Sequence, residues 1–297
     1  MEQITRKAYA KINLVLDVTG RLPNGYHEVS MVMQNVGIHD TLTFTKRGDE
    51  QIVLTTSDGQ LPLGEDNLIY KAVLLLRELT GNKDGVTIHL EKRIPVAAGM
   101  AGGSSNAAAV LFGMNRMFSL GLSQKELMER GVKLGADVPY CIMRGTALSE
   151  GIGEILTELP APPQCHLVIA KPQISVSTKA VYGKLRVNEL APEEHPDIDG
   201  MMESIKNGDL DGVIGRLGNV LETVTVPDHP EIAEIKKVMM ENGACGSLMS
   251  GSGPTVFGIY KDKEQAEKAC QVLRDADGGR LTRQVYLTEF YNRKKAR

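Results

Sequence analysis

The stretch Pro95-Val96-Ala97-Ala98-Gly99-Met100-Ala101-Gly102-Gly103-Ser104-Ser105-Asn106 runs without a break into Ala107-Ala108-Ala109-Val110-Leu111. Small residues and three glycines therefore lead straight into a strong helix former. Gly99, Gly102 and Gly103 allow left-handed or crowded backbone that a side chain would block. Ser104, Ser105 or Asn106 can cap the helix that follows. The first turn of a helix leaves amide N–H groups unpaired and carries the positive end of the macrodipole. A glycine-rich turn opening a helix is thus a candidate phosphate cradle. It is not a Walker A loop, because Ser104 follows Gly103 with no Lys between them. The spacing G-x-x-G-G is not the dinucleotide fingerprint either. Taken alone, the same residues also suit a tightly packed helix start with no ligand.

Upstream of the loop, residues 12–18, 29–36, 41–46, 52–56 and 86–90 read as strands, from alternating apolar and polar residues. Pro23-Asn24-Gly25 is a turn signal between the first two. Asp66-Asn67 starts a helix that Gly81 ends near residue 79. Downstream, residues 107–118 carry apolar side chains at helical spacing. Ser123-Gln124-Lys125-Glu126 is a capping box. Gly135-Ala136-Asp137-Val138-Pro139 opens a short helix whose first turn tolerates the proline. Pro160-Ala161-Pro162-Pro163 is the best linker, giving domains 1–160 and 161–297. Beyond it, 166–170 reads as a strand. Residues 178–185, 198–207, 209–221, 230–242 and 262–275 read as helices, and 284–290 as a closing strand. A second glycine turn, Ser250-Gly251-Ser252-Gly253-Pro254, interrupts 247–260. Strands in runs, with helices segregated between them, predict an α+β fold.

Composition sets bounds on function. The chain has 297 residues, 42% hydrophobic and 24% charged, which suits a soluble two-domain protein. Net charge is −3 with acids and bases intermixed, so no basic stripe for nucleic acid is present. The tail Arg293-Lys294-Lys295-Ala296-Arg297 reads as a solvated end. The N-terminus has no apolar signal core, and no apolar run nears the roughly 18 residues of a membrane span. A cytoplasmic protein is expected, with no membrane partner. Cys141, Cys165, Cys245 and Cys270 form no C-x-x-C pair and suit reduced thiols. No spacing announces a metal cage. Nothing in the pattern chooses between monomer and homodimer.

Three polar groups stand where chemistry is plausible. Lys11 lies in the apolar run Ala8-Tyr9-Ala10-Lys11-Ile12-Asn13-Leu14, where a buried ammonium needs a partner. It equally suits an edge lysine with a snorkelling stem. Asp137 can cap its helix, or pair with Lys11 and take a proton from a hydroxyl. Tyr26 and His27 follow a glycine turn. They can pack across strands, or stack on and hydrogen-bond to a planar ligand.

Several of these motifs together resemble one family, the GHMP kinases. Residues 95–108 resemble its central phosphate loop, 250–257 its C-terminal glycine motif and 8–14 its N-terminal motif. The resemblance narrows through Ala10-Lys11-Ile12-Asn13-Leu14, Gly25-Tyr26-His27-Glu28, Gly102-Gly103-Ser104-Ser105-Asn106-Ala107-Ala108 and Gly135-Ala136-Asp137-Val138-Pro139. These are similar to the branch whose substrate is a cytidine diphosphate-linked methylerythritol. That branch phosphorylates the 2-hydroxyl with ATP, in the non-mevalonate route to isoprenoids.

The resemblance implies an N-terminal domain like the second domain of ribosomal protein S5 and a ferredoxin-like C-terminal α/β domain, with the active site in the cleft between them. Asp137 would be the general base and Lys11 would hold it ionised. Pro95, Val96, Ala97, Ala98, Gly99, Met100, Ala101, Gly102, Gly103, Ser104 and Ser105 would wrap the ATP phosphates, with the two serines near phosphate or Mg²⁺. Asn67 and Lys92 would assist with the nucleotide. Asn13, Tyr26, His27, Thr178 and Tyr182 would bind the cytidine substrate, with the two tyrosines stacking on the base and His27 hydrogen-bonding it. Ser175 and Ser177 are further candidates, and Gly251, Ser252 and Gly253 would line the cleft. The alternatives are a homoserine or mevalonate type of kinase in the same family, or a ligand sensor that kept the fold.

Overall fold

The computed structural model describes residues 2–23 and 25–292. Asn24 of the expected turn and the basic tail lie outside the described residues. The first two strands are long: β1 spans Gln3–Arg21 and β2 His27–Lys46. The two separate strands expected over 29–36 and 41–46 are one strand. Gly37 does not break it. A Cβ there would stand 2.7 Å from the Thr288 hydroxyl, so this glycine gives clearance and not a turn.

β3 (Ile52–Thr56), α1 (Leu68–Thr80) and β4 (Val86–Glu91) follow. Asn67 caps α1 by accepting from Ile69 N, and Gly81 closes it at φ 70°. After the glycine loop come α2 (Gly102–Met117), α3 (Gln124–Gly131), with the expected Ser123–Glu126 capping box, and α4 (Val138–Met143). β5 (Thr146–Gly151) and β6 (Ile155–Leu159) form a hairpin that the sequence pattern did not reveal. The rest runs β7 (His166–Pro172), α5 (Thr178–Lys184), α6 (Ile198–Lys206), α7 (Leu210–Gly215), β8 (Gly218–Asn219), α8 (Glu222–Asp228), α9 (Pro230–Glu241), β9 (Gly246–Met249), β10 (Val256–Tyr260), α10 (Lys263–Asp275) and β11 (Thr282–Glu289). The helix expected over 209–221 stops at Gly215, and the chain then pairs with β1 through β8.

The described chain divides into two compact units that interleave along the sequence. The first holds residues 1–10, 38–96 and 101–143; the second holds 11–37, 97–100 and 144–297. β1 and β2 run through both. In the first unit β4 pairs antiparallel with residues 41–46 of β2 and parallel with β3. α2 packs on this sheet so closely that a Cβ on Gly113 would meet the Phe44 ring at 2.8 Å. In the second unit β5 pairs with residues 29–34 of β2, which keeps β5 and β6 with that half of the strand. The boundary expected near residue 160 therefore falls inside the second unit.

The second unit also holds a four-stranded antiparallel sheet in the order β11-β7-β10-β9. Counted along the chain this is 4-1-3-2, the ferredoxin-like arrangement that was expected. Its central strand β10 is buried along its whole length. The fold class is α+β as the sequence predicts. Among the described residues, no helix is long and apolar enough to cross a membrane.

Candidate active site

The glycine loop departs from the simple expectation. Gly99 is left-handed at φ 68°, but so are Ala97 at 51° and Ala101 at 53°. Gly102 and Gly103 are helical, and their missing side chains provide room instead. A Cβ on Gly102 would stand 3.1 Å from Ile94 Cγ2 and 3.3 Å from Lys92 Nζ. One on Gly103 would stand 3.2 Å from Leu68. The helix thus starts earlier than its serines, with Ala101 as N-cap and no side chain closing it. The leading N–H groups of this 16-residue helix therefore have no side-chain cap, an arrangement that suits an anion.

In the first unit, this start is braced from below by a residue that sequence reading missed. Asp40 is fully buried on β2. Its Oδ1 accepts from Arg93 N and Ile94 N, both at 2.7 Å, and its Oδ2 from Lys92 Nζ at 2.9 Å. Lys92 also donates to the Ile94 carbonyl. Burial pushes the Lys92 ammonium below its ordinary value, with Asp40 pulling the other way. Lys92 is therefore committed to fixing the chain where the loop begins. The signal for Asp40 was a carboxylate inside an apolar strand pattern, Ile38-His39-Asp40-Thr41-Leu42.

Asn67 is committed as well: Oδ1 caps α1 and Nδ2 donates to Pro62 O at 2.8 Å. The Ser105 hydroxyl donates inward to Tyr9 O at 2.7 Å. Ser104 sits one residue earlier in the first turn, half-buried. A Cβ on Gly135 would come within 3.7 Å of its Oγ, so the segment carrying Asp137 lies beside the start of α2. Asp137 is half-buried. Its backbone carbonyl accepts from Cys141 N at 3.0 Å. Its carboxylate makes no hydrogen bond among the described residues of its unit.

In the second unit, Lys11 is 5% exposed and donates to Asn13 Oδ1 at 2.7 Å. Asn13 turns its Nδ2 to Met31 Sδ at 3.1 Å, so its amide orientation is fixed from both sides. Lys11 N donates to Met100 O at 3.2 Å, which joins β1 to residues 97–100. Ser250 Oγ donates to Gly99 O at 3.0 Å from the other side. Thr178 and Ser252 share a hydroxyl–hydroxyl bond of 2.8 Å. Gly251, Ser252 and Gly253 are all buried. Ser177 caps α5, and Ser175 is exposed.

At the turn between β1 and β2, Tyr26 is 59% exposed. The His27 and Tyr182 rings lie 5.2 Å apart at 48°. Burial, then the Arg21 charge, lowers the His27 value, so the imidazole is neutral near pH 7. A neutral imidazole offers one donor and one acceptor, as the edge of a base requires. Lys11, Asn13, Tyr26, His27, Thr178 and Tyr182 thus belong to the second unit, and Asp137, Asn67, Lys92 and the start of α2 to the first. Among the described residues, no cluster of three or more acidic, His or Cys side chains could hold a metal ion.

Comparison with known proteins identifies the family. Residues 67–145 match the family model of the GHMP kinases N terminal domain, and residues 201–277 that of the GHMP kinases C terminal. The chain is 55% identical to the 4-diphosphocytidyl-2-C-methyl-D-erythritol kinase of Lachnospira eligens, across 98% of this chain and 99% of the relative. It is 50% identical to the same-named protein of Lachnoclostridium phytofermentans, across 99% of each. A crystal structure of a 4-(cytidine 5'-diphospho)-2C-methyl-D-erythritol kinase superposes with TM-score 0.80 at 30% identity, covering 97% of this chain and 99% of that one. Homoserine kinase from Cytophaga hutchinsonii superposes with TM-score 0.79 at 20% identity, which shows the shared fold alone. The chain belongs to the GHMP kinases, within the 4-diphosphocytidyl-2-C-methyl-D-erythritol kinase family.

Proposed function

We propose that the chain transfers the γ-phosphate of ATP to the 2-hydroxyl of 4-diphosphocytidyl-2-C-methyl-D-erythritol. The observation that carries this over other kinases of the fold is the His27–Tyr182 ring pair in the second unit, with the exposed Tyr26 next to His27 in sequence. Homoserine and mevalonate have no base for it to grip. Near-full-length identity to kinases of that name supports the same choice.

Phosphoryl transfer asks a protein mainly for positioning and charge neutralisation. The uncapped start of α2 receives the ATP phosphates, with the loop backbone from Pro95 onward following them. Asp137 takes the proton from the accepting 2-hydroxyl as that oxygen attacks the γ-phosphorus. Lys11, oriented by Asn13, supplies positive charge to the transferring group. His27 hydrogen-bonds the cytosine edge, and Tyr26 and Tyr182 cover its faces. The Ser104 hydroxyl and the phosphate oxygens suit a Mg²⁺ ion, which prefers oxygen ligands and few protein side chains. Such an ion would supply positive charge to the phosphates during transfer.

The test is ADP release with ATP and Mg²⁺, using the cytidine substrate against homoserine and mevalonate, for wild type and Asp137→Asn. Turnover with the cytidine substrate alone is expected. The variant is expected to lose about 10²–10³-fold in kcat, the usual scale for one electrostatic contact. Turnover with homoserine or mevalonate instead would discard the base pocket, and unchanged turnover in the variant would remove Asp137 as the base.

A further inference from the structure

The segment between α7 and α8 leaves its helix, pairs two residues with β1 and turns back. At that point Asn219 is 7% exposed and its amide is fully used. Nδ2 donates to both Met249 O and Gly251 O at 2.8 Å, and Oδ1 accepts from Leu221 N at 3.0 Å. Three residues on, Glu222 Oε1 accepts from Met249 N at 2.8 Å. Lys236 holds both oxygens of that carboxylate, at 2.8 and 2.6 Å. Met249 is therefore gripped at its carbonyl by Asn219 and at its N–H by Glu222, immediately before the 250–254 turn.

The gripped turn touches the reaction machinery within the same unit. A Cβ on Gly99 would collide with the Ser250 carbonyl oxygen, so the two backbones are in contact with no slack. A Cβ on Gly251 would stand 3.2 Å from Gly99 O and 3.6 Å from Asn13 Oδ1, the atom that receives Lys11 Nζ. Close-packed groups transmit a shift instead of absorbing it. A turn released at Met249 would therefore displace Gly99 and loosen the seat of the Lys11–Asn13 pair.

We propose that Asn219 and Glu222 form a clamp that positions the phosphate loop and Lys11 for phosphoryl transfer, through the 250–254 turn. Both are positioning residues: each acts through Met249 or Gly251 and not on the substrate. The proposal rests on the kinase roles assigned above to Lys11 and the loop. A misplacement near 1 Å costs on the order of 10²-fold in rate when a reaction depends on positioning.

Four variants separate a clamp from mere filling of space. Asn219→Ala removes the amide. Asn219→Asp keeps its size and the acceptor for Leu221 N but removes both donors. Glu222→Gln keeps an acceptor for Met249 N, and Glu222→Leu removes it. Melting temperature and kinetics are read on the folded fraction of each, together with hydrogen exchange of peptides covering 97–101 and 250–254.

A clamp predicts kcat lowered by about 10- to 100-fold in both Asn219 variants and in Glu222→Leu, with KM for ATP within about three-fold of wild type. It predicts near-normal kcat in Glu222→Gln. It also predicts faster exchange in both peptides for Asn219→Ala, with α10 unaffected. Normal kcat per folded molecule in the Asn219 variants overturns the clamp while leaving the kinase assignment intact. If wild type fails to phosphorylate the cytidine substrate, the kinase assignment falls. The clamp is then judged by exchange alone, and unchanged exchange at 97–101 in Asn219→Ala overturns it.

Discussion

The two glycine-rich segments look alike in sequence and use their glycines differently. In the 250–254 turn, Gly251 and Gly253 carry the positive φ values, 58° and 86°. In the 95–105 loop, left-handed backbone falls on Ala97 and Ala101 as well as Gly99, and two of the three glycines are helical. There glycine provides clearance from Ile94, Lys92 and Leu68. A glycine in a motif can thus record a dihedral angle, a missing side chain, or both. Only the structure separates these meanings.

Gly99 needs both and is where substitution should cost most. Gly99→Ala combines a left-handed angle with a clash on a backbone oxygen. A loss of about 3–5 kcal/mol is expected, from strain and overpacking together. Denaturant unfolding checks it, and a cost under about 1 kcal/mol would mean the contact with Ser250 relaxes easily.

The braces behind the two segments also differ. The turn is held by Asn219 and Glu222, whereas the loop is held by the buried Asp40–Lys92 pair. Asp40→Ala leaves a buried ammonium without its partner and two backbone N–H groups without an acceptor. It should destabilise by about 3–5 kcal/mol. Unfolding of Asp40→Ala beside Lys92→Met sharpens the point. If the ammonium is the main liability, adding Lys92→Met to Asp40→Ala recovers part of the loss.

The sequence made some of this legible. Turn and cap residues with one local meaning were read correctly: Asn67 and Gly81 at the ends of α1, and the Ser123–Glu126 box at the start of α3. Short motifs also placed the chain in its family, because Lys11, Tyr26, His27, Gly102, Gly103 and Asp137 lie in contiguous runs. What escaped depends on partners distant in sequence. The continuity of β2 through Gly37 was not legible locally, because the neighbour that needs the clearance, Thr288, is 251 positions away. The end of α7 depends on pairing of Gly218 with Val15. Asp40 and Asn219 hold backbone groups on other elements, so their meaning exists only after folding. Lys92 and Asn67 carry the charge and amide a nucleotide needs, yet both are already bonded within the protein.

A smaller effect distinguishes dihedral from clearance within the loop. Ala101→Gly relieves left-handed strain at φ 53° and should change stability by no more than about 1 kcal/mol, toward stabilisation. Gly102→Ala meets contacts of 3.1 and 3.3 Å in a helical backbone and should destabilise by about 1 kcal/mol. Melting temperatures moving in opposite directions would confirm the division.

The smallest effect is one of pH. The His27 value lies below the ordinary 6.5 of an imidazole, mainly through burial. Neutral His27 is then present above about pH 6.5 and is lost as pH falls through the lowered folded value. KM for the cytidine substrate should be flat from pH 7 to 8 and rise only as pH falls below the ordinary imidazole value of about 6.5, with KM for ATP unchanged. The sign for stability is the same: a depressed folded value removes stability as pH falls through the unfolded one. A rise already at pH 7 would mean His27 titrates as a free imidazole.

The most direct measurement is phosphorus NMR of the product formed from ATP, Mg²⁺ and 4-diphosphocytidyl-2-C-methyl-D-erythritol. A new phosphomonoester on the methylerythritol, with the cytidine diphosphate linkage intact and stoichiometric ADP, is the predicted result. ADP without that phosphomonoester, or a cleaved diphosphate linkage, would contradict transfer to the 2-hydroxyl.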